Sequence, residues 1–292
     1  MRIILALPPG GAPDALARVL GSKLTEQVGQ QVIVDSRPGG SGVIAAEIAK
    51  AAPPDGYTLL LAGATVFVTL PALKPKVPYD PDKDFVALSR VASVANVLAV
   101  HPSLGVGTVA DLVQLAKARP GQLNFGSGGN GSTSHLAGEM FNVLAGVKTV
   151  HVPYKGTLLA LNDVIAGELQ FMMMNPIVVM PHAKTGRVRA IATTGAKRDP
   201  LLPELPTVAE VVPGFENTLW WGAAAPVKTP AAILKRLHAE IVKAMQSPQV
   251  RVLLAQQGAT AHAESPAEFT AFIKAERERI ARVARQVSLT LD

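Results

Sequence analysis

One joint recurs along this sequence: an apolar strand-like run, a turn of Gly, Pro and Ser, then the first turn of a helix. Residues 3–7 lead through Pro8-Pro9-Gly10-Gly11 into a segment where Leu16, Val19, Leu20 and Leu24 fall at helical spacing. The same design returns at Arg37-Pro38-Gly39-Gly40-Ser41-Gly42 and at Gly126-Ser127-Gly128-Gly129-Asn130-Gly131. Repeated strand-turn-helix units restrict the chain to an α/β fold with parallel strands and helices on the sheet faces. Such turns offer little but backbone. Helix starts expose unpaired N–H groups and partial positive charge, and glycines let a ligand approach them closely, so the joints point to capture of a small anion.

The reading along the chain is regular. Strands are expected at about 3–7, 31–35 and 57–61, with helices at about 12–28 and 43–51 and a surface loop at 71–85. An apolar run at 91–100 precedes a second series. It has helices at about 108–118, 132–145, 157–166 and 176–185, and strands at about 122–126, 149–153, 169–174 and 188–194. A proline-rich crossing loop at 197–213 follows, and beyond Trp220-Trp221-Gly222 the pattern reads as helical to the end, with starts at Pro230, Pro248 and Ser265-Pro266-Ala267-Glu268.

With 292 residues, 48% of them hydrophobic and 17% charged, the chain has material for one large or two modest cores. No apolar run approaches the roughly 18 residues of a membrane span. The apolar run after Arg2 is shorter than the about 7–15 residues of a secretory leader, so the sequence suits either a cytosolic protein or a mature form whose leader is replaced by Met1. The absence of cysteine excludes disulfides and thiolate chemistry. A net charge of +6 is spread along the chain; its one dense stretch, 274–285, alternates with Glu276 and Glu278 and reads as a solvated helix face, not a nucleic-acid arm.

Each motif has a plainer alternative. Gly126 to Gly131 matches the dinucleotide fingerprint, but no acid between Met140 and Asn162 can hold a ribose, leaving a tight turn or a small-anion site as its uses. Ser132 or Thr133 can cap the following helix, and Ser127 and Ser132 offer hydroxyls at the same spot. The six histidines include no i,i+4 pair and are read as lacking a carboxylate at ligand spacing, so no metal is expected. His135 is divided between packing and ligand contact, and Lys155 between the surface and a cleft. Asp14 reads as a partner of its helix dipole. In Met172-Met173-Met174 alternation makes part of the run core, while Met174 and Asn175 stand at a strand's carboxyl end, where parallel sheets bind ligands.

These stretches, with Ala52-Pro53-Pro54-Asp55-Gly56-Tyr57, Pro78-Tyr79-Asp80-Pro81, Asn124-Phe125-Gly126-Ser127, His151-Val152-Pro153-Tyr154-Lys155-Gly156 and Leu202-Pro203-Glu204-Leu205-Pro206-Thr207, resemble the tripartite tricarboxylate transporter substrate-binding proteins, also called the Bug family of periplasmic receptors. The resemblance runs the length of the chain. It implies a type II periplasmic-binding-protein fold: one lobe from about 1–98 and 224–292, the other from about 99–223, with crossings near 97–101 and 219–225 and a ligand cleft between them. It implies a periplasmic monomer that binds a small carboxylate, needs no cofactor or metal, and delivers its solute to membrane transporter subunits. The implied contacts are Pro9, Gly10, Gly11, Gly40, Ser41, Thr65, Ser127, Gly128, Asn130, Gly131, Ser132, His135, Lys155, Gly156, Met174 and Asn175. Met174 stands where many relatives carry Asp, Val43 where Asn is common, and Pro13 where Thr is frequent. These departures suggest an apolar or aromatic carboxylate over an amino acid or citrate. The alternatives are a nucleotide-dependent oxidoreductase using the 126–131 loop, and a receptor that signals to a sensor.

Overall fold

A computed structural model describes residues 1–7, 9, 12–74 and 76–287. The chain runs β1 (Arg2–Leu5), α1 (Ala12–Val28), β2 (Ile33–Ser36), α2 (Val43–Lys50) and β3 (Thr58–Gly63). A π-helical turn at Thr65–Thr69, short helices α3 (Leu70–Leu73) and α4 (Pro81–Asp84), and strands β4 (Phe85–Ala95) and β5 (Val97–Val100) follow. Next come α5 (Val109–Ala118), β6 (Asn124–Ser127), α6 (Thr133–Ala145), β7 (Val150–Pro153), α7 (Thr157–Ala166), β8 (Phe171–Met174), α8 (Pro176–Lys184) and β9 (Arg189–Thr193). The last elements are β10 (Thr218–Pro226), α9 (Ala231–Gln246), α10 (Pro248–Gln256), β11 (Thr260–Ala261) and α11 (Pro266–Val287).

The chain divides into two units, one built mainly from Met1–Ser93 with Trp220–Ala284, the other mainly from Val94–Leu219. The first holds a sheet in the order β11-β4-β10-β3-β1-β2, the second a sheet in the order β7-β6-β8-β5-β9. In the first, β1 lies parallel to both β2 and β3, pairing Ile3 with Val34 and Leu59. Ile3, Ile4 and Leu5 are buried on both faces, as an unbroken apolar run requires in a covered parallel sheet. Leu16, Leu20 and Leu24, four apart on α1, bury one stripe of that helix. In the second unit β6 is parallel to β7 and β8.

Both sheets are mixed, a correction to the expected parallel arrangement. β10 runs antiparallel to β3, and β5 antiparallel to β8 and β9. β10 carries the chain from one unit into the other, and β5 lies directly after the opposite crossing, so their directions follow the connection and not a helical crossover. β10 also replaces the helix expected after Gly222. Its alanines favour a helix, but Ala223, Ala224 and Ala225 are buried in the sheet, and a Cβ on Gly222 would stand 2.1 Å from the Phe269 ring of α11. Packing overrides propensity here.

The expected loop at 71–85 contains α4, held by Asp80, whose carboxylate accepts the N–H groups of Asp82 and Lys83. α11 starts as expected: Ser265 Oγ accepts the Glu268 N–H at 3.2 Å, and Glu268 Oε2 accepts the Ser265 N–H at 2.8 Å. Its basic stretch is not wholly solvated, however. Glu276 is buried, accepts Trp220 Nε1–H at 3.1 Å and pairs with Arg279, while Arg277 grips Asp82 and the Phe67 carbonyl. No described helix is long and apolar enough to cross a membrane.

Candidate solute-binding site

In the second unit, the side-by-side parallel strands β7-β6-β8 deliver three joints to one sheet edge. Carboxyl ends of parallel strands are where α/β folds bind ligands. The joint after β6 touches the joint after β7: a Cβ on Gly128 would meet Thr157 Cγ2 at 2.9 Å, and one on Gly129 would meet the Tyr154 carbonyl at 3.2 Å. Any larger residue would push Thr157 or the Tyr154 carbonyl aside, and Gly129, at φ 120°, also adopts a backbone that side chains disfavour.

Much of the 127–132 loop is satisfied from within. Ser127 is fully buried; its Oγ accepts the Gly129 N–H at 3.0 Å and lies 2.6 Å from His151 Nε2. Ser134 Oγ accepts the Gly128 N–H at 3.1 Å, and His135 Nδ1 accepts that of Gly131 at 3.0 Å. Ser132 caps α6, its Oγ accepting the His135 N–H at 3.3 Å. Among the described residues, the N–H groups of Asn130, Thr133 and Ser134 have no protein acceptor. They are what this loop offers an anion.

Several expected contacts turn inward. Met174 is buried in an apolar cluster with Met172, Val179 and Val188, so its side chain is core and says nothing about the solute's body. Met172 and Met173 are buried too. Asn175 caps α8 by accepting the Ile177 N–H at 2.9 Å. Ser127 and His135 shape the loop instead of offering free polar atoms. Lys155 is exposed, and Gly156, at φ 146°, ends the turn that leads to α7.

The histidine reading needs a correction. Glu139 does lie one turn from His135, its Oε1 3.8 Å from Nε2. The described residues still contain no group of three potential metal ligands. His151, Ser134 and Thr157 went unremarked as loop supports. For His151 the signal is register: β6 pairs with β7 so that Phe125 lies opposite His151, two residue pairs before Ser127.

In the first unit, β3-β1-β2 likewise run parallel and side by side. After β2, four successive residues have positive φ: Gly39 (122°), Gly40 (54°), Ser41 (56°) and Gly42 (95°). Ser41 is the single described non-glycine residue in this region, a strained choice of the kind concentrated at functional loops. The run leaves Gly40 and Ser41 exposed, and among the described residues their N–H groups have no protein acceptor, which suits an anion. Gly42 seats this turn on the next joint, where its Cβ would meet Val66 Cγ2 at 2.5 Å. Thr65, exposed, opens the π-helical turn there. Pro9 is exposed, and Gly10 and Gly11 lie outside the described residues.

Two α/β units, each ending three parallel strands in backbone-rich loops, define a solute-binding receptor. The chain belongs to the tripartite tricarboxylate transporter receptor family, whose model matches residues 16–289. It is 34% identical to protein BugT of Bordetella pertussis, over all of this chain and 90% of the other. An R. palustris protein solved with adipate aligns at TM-score 0.78 and 35% identity, covering 99% of this chain and 97% of that one. MatC from Rhodopseudomonas palustris, with bound malate, aligns at 0.74 and 27%, covering 97% and 98%. The family is one of receptors, so the chain is a binding protein and the oxidoreductase alternative is set aside.

Proposed function

We propose that this chain is a periplasmic receptor that captures a small aliphatic carboxylate and hands it to the membrane subunits of a tripartite transporter. The observation that carries the reading is the set of N–H groups at Asn130, Thr133 and Ser134 that have no acceptor among the described residues, beside the close glycine contact between two joints. The exposed backbone at Gly40 and Ser41 is a second, separate set of N–H donors in the first unit. The relatives solved with adipate and malate support a carboxylate ligand.

The preference for an apolar body rests on residues other than Met174. Leu158 and Leu159 are 61% and 51% exposed directly after Thr157, the residue that touches Gly128. Exposed leucines beside N–H donors suit a methylene chain better than a row of hydroxyls. The three joints of the second unit, at 127–132, 154–157 and 174–176, carry no acidic side chain for an ammonium group, which argues against amino acids.

Isothermal titration with adipate, malate, citrate, benzoate and aspartate tests the reading. Adipate is expected to bind best. Saturable aspartate binding without adipate binding would reverse the assignment of ligand class.

A further inference from the structure

The loop that carries the candidate anion site is supported by two histidines, and their arrangement goes beyond the receptor assignment. The rings of His135 on α6 and His151 on β7 are stacked, centroids 3.8 Å apart and planes 13° from parallel. Phe125 extends the stack, 5.1 Å from the His151 ring. Each imidazole holds the loop at a different point. His135 Nδ1 accepts the Gly131 N–H, and His151 Nε2 holds Ser127 Oγ, which in turn accepts the Gly129 N–H.

We infer that His135 and His151 are positioning residues for solute binding: as a stacked, uncharged pair they clamp the Gly128–Gly131 loop in the shape that presents its free N–H groups. The inference rests on the proposed carboxylate site at this loop. A proton on His135 Nδ1 removes the lone pair that Gly131 uses. Two imidazolium rings face to face would also repel at close range in a buried setting.

The groups packed around the pair are few. On α6, Glu139 Oε1 stands 3.8 Å from His135 Nε2, and burial raises its carboxyl group above the usual range, weakening it as a partner for a charged ring. On β6 the facing side chains are Phe125 and Ser127. Among the described residues no other ion pair reaches either histidine. Burial lowers the affinity of both rings for a proton, and His135 adds to that effect on His151.

The test compares His135→Phe, which keeps an aromatic ring but no acceptor, with His135→Asn, whose carbonyl oxygen reaches the place of Nδ1. Amide exchange of Gly129 and Gly131 is read by NMR in the ligand-free protein, and adipate affinity by calorimetry. In His135→Phe, Gly131 exchange is expected to be about tenfold faster and adipate binding about tenfold weaker, while His135→Asn stays near wild type. Gly131 protection in the wild type should fall as the pH drops below the ordinary histidine range, since burial lowers the His135 pKa, and that fall should be much smaller in His135→Asn. Unchanged Gly131 protection in His135→Phe, or an identical pH slope in wild type and His135→Asn, would overturn the clamp. If the Phe variant does not fold, the pH comparison alone decides. Failure of wild type to bind adipate counts against the carboxylate reading, while Gly131 exchange still judges the clamp.

Discussion

His135 and His151, sixteen residues apart on different elements, stack with ring centroids 3.8 Å apart. Burial holds the His151 ring at a pKa of about 4 instead of 6.5, and the same cause brings His262, hydrogen-bonded to Ser93, to about 4. Both rings are uncharged in the folded chain and take a proton on unfolding between those limits, so the unfolded state binds more protons there. Stability is therefore full above about pH 6.5 and falls as the pH drops towards 4. Urea midpoints at pH 7.5 and 4.5 should show this loss, and His262→Gln should reduce it.

Gly138 lets α6 settle on Phe125. A Cβ there would stand 2.0 Å from the ring, which is flanked by His151 and Phe171 and cannot swing aside. Gly138→Ala should destabilise by about 1–3 kcal/mol through overpacking. Chemical denaturation measures it, and an unchanged midpoint would mean that the layer has slack.

Glu276 is a buried carboxylate that takes the Trp220 indole N–H and pairs with Arg279. Removing it strands the buried Trp220 N–H and takes a carboxylate away from Arg279. Glu276→Ala should therefore cost about 3–5 kcal/mol, more than an exposed ion pair would. Glu276→Gln keeps an acceptor for Trp220 and should cost less. Thermal unfolding of the two variants ranks them.

Leu158 and Leu159 bear on ligand choice and hardly on folding, since both are exposed. Exchanging them together for Asn should leave the melting temperature within a few degrees of wild type. The same exchange should lower the adipate-to-malate affinity ratio by about tenfold, the amount expected when one to two methylene contacts are lost. An unchanged ratio would place the solute's body elsewhere.

Legibility followed the range of the interactions. α1 and α7 appear over the residues their periodicity marks, and α11 starts at the Ser265 cap, because spacing and capping are local. The Gly-rich joints were equally plain, since positive φ and close backbone approach call for glycine. β10 was hidden because its alanines have no strand preference until Phe269 packs over Gly222. The setting of Met174 is not legible in the sequence because a strand end can face either a ligand or the core, and its packing with Val179 and Val188 is a matter of tertiary structure.

By itself the sequence determined the alternation of strands and helices, the glycine turns between them and the family, because all of these are written in short-range patterns. Tertiary structure alone decided which loop amides are already engaged, which of the candidate polar groups turn inward, and that two distant histidines share one stack. The amide contacts themselves span only two to six residues, but which of them form, and which side chains face the core, depends on the register of β6 with β7 and on packing that no short-range pattern carries.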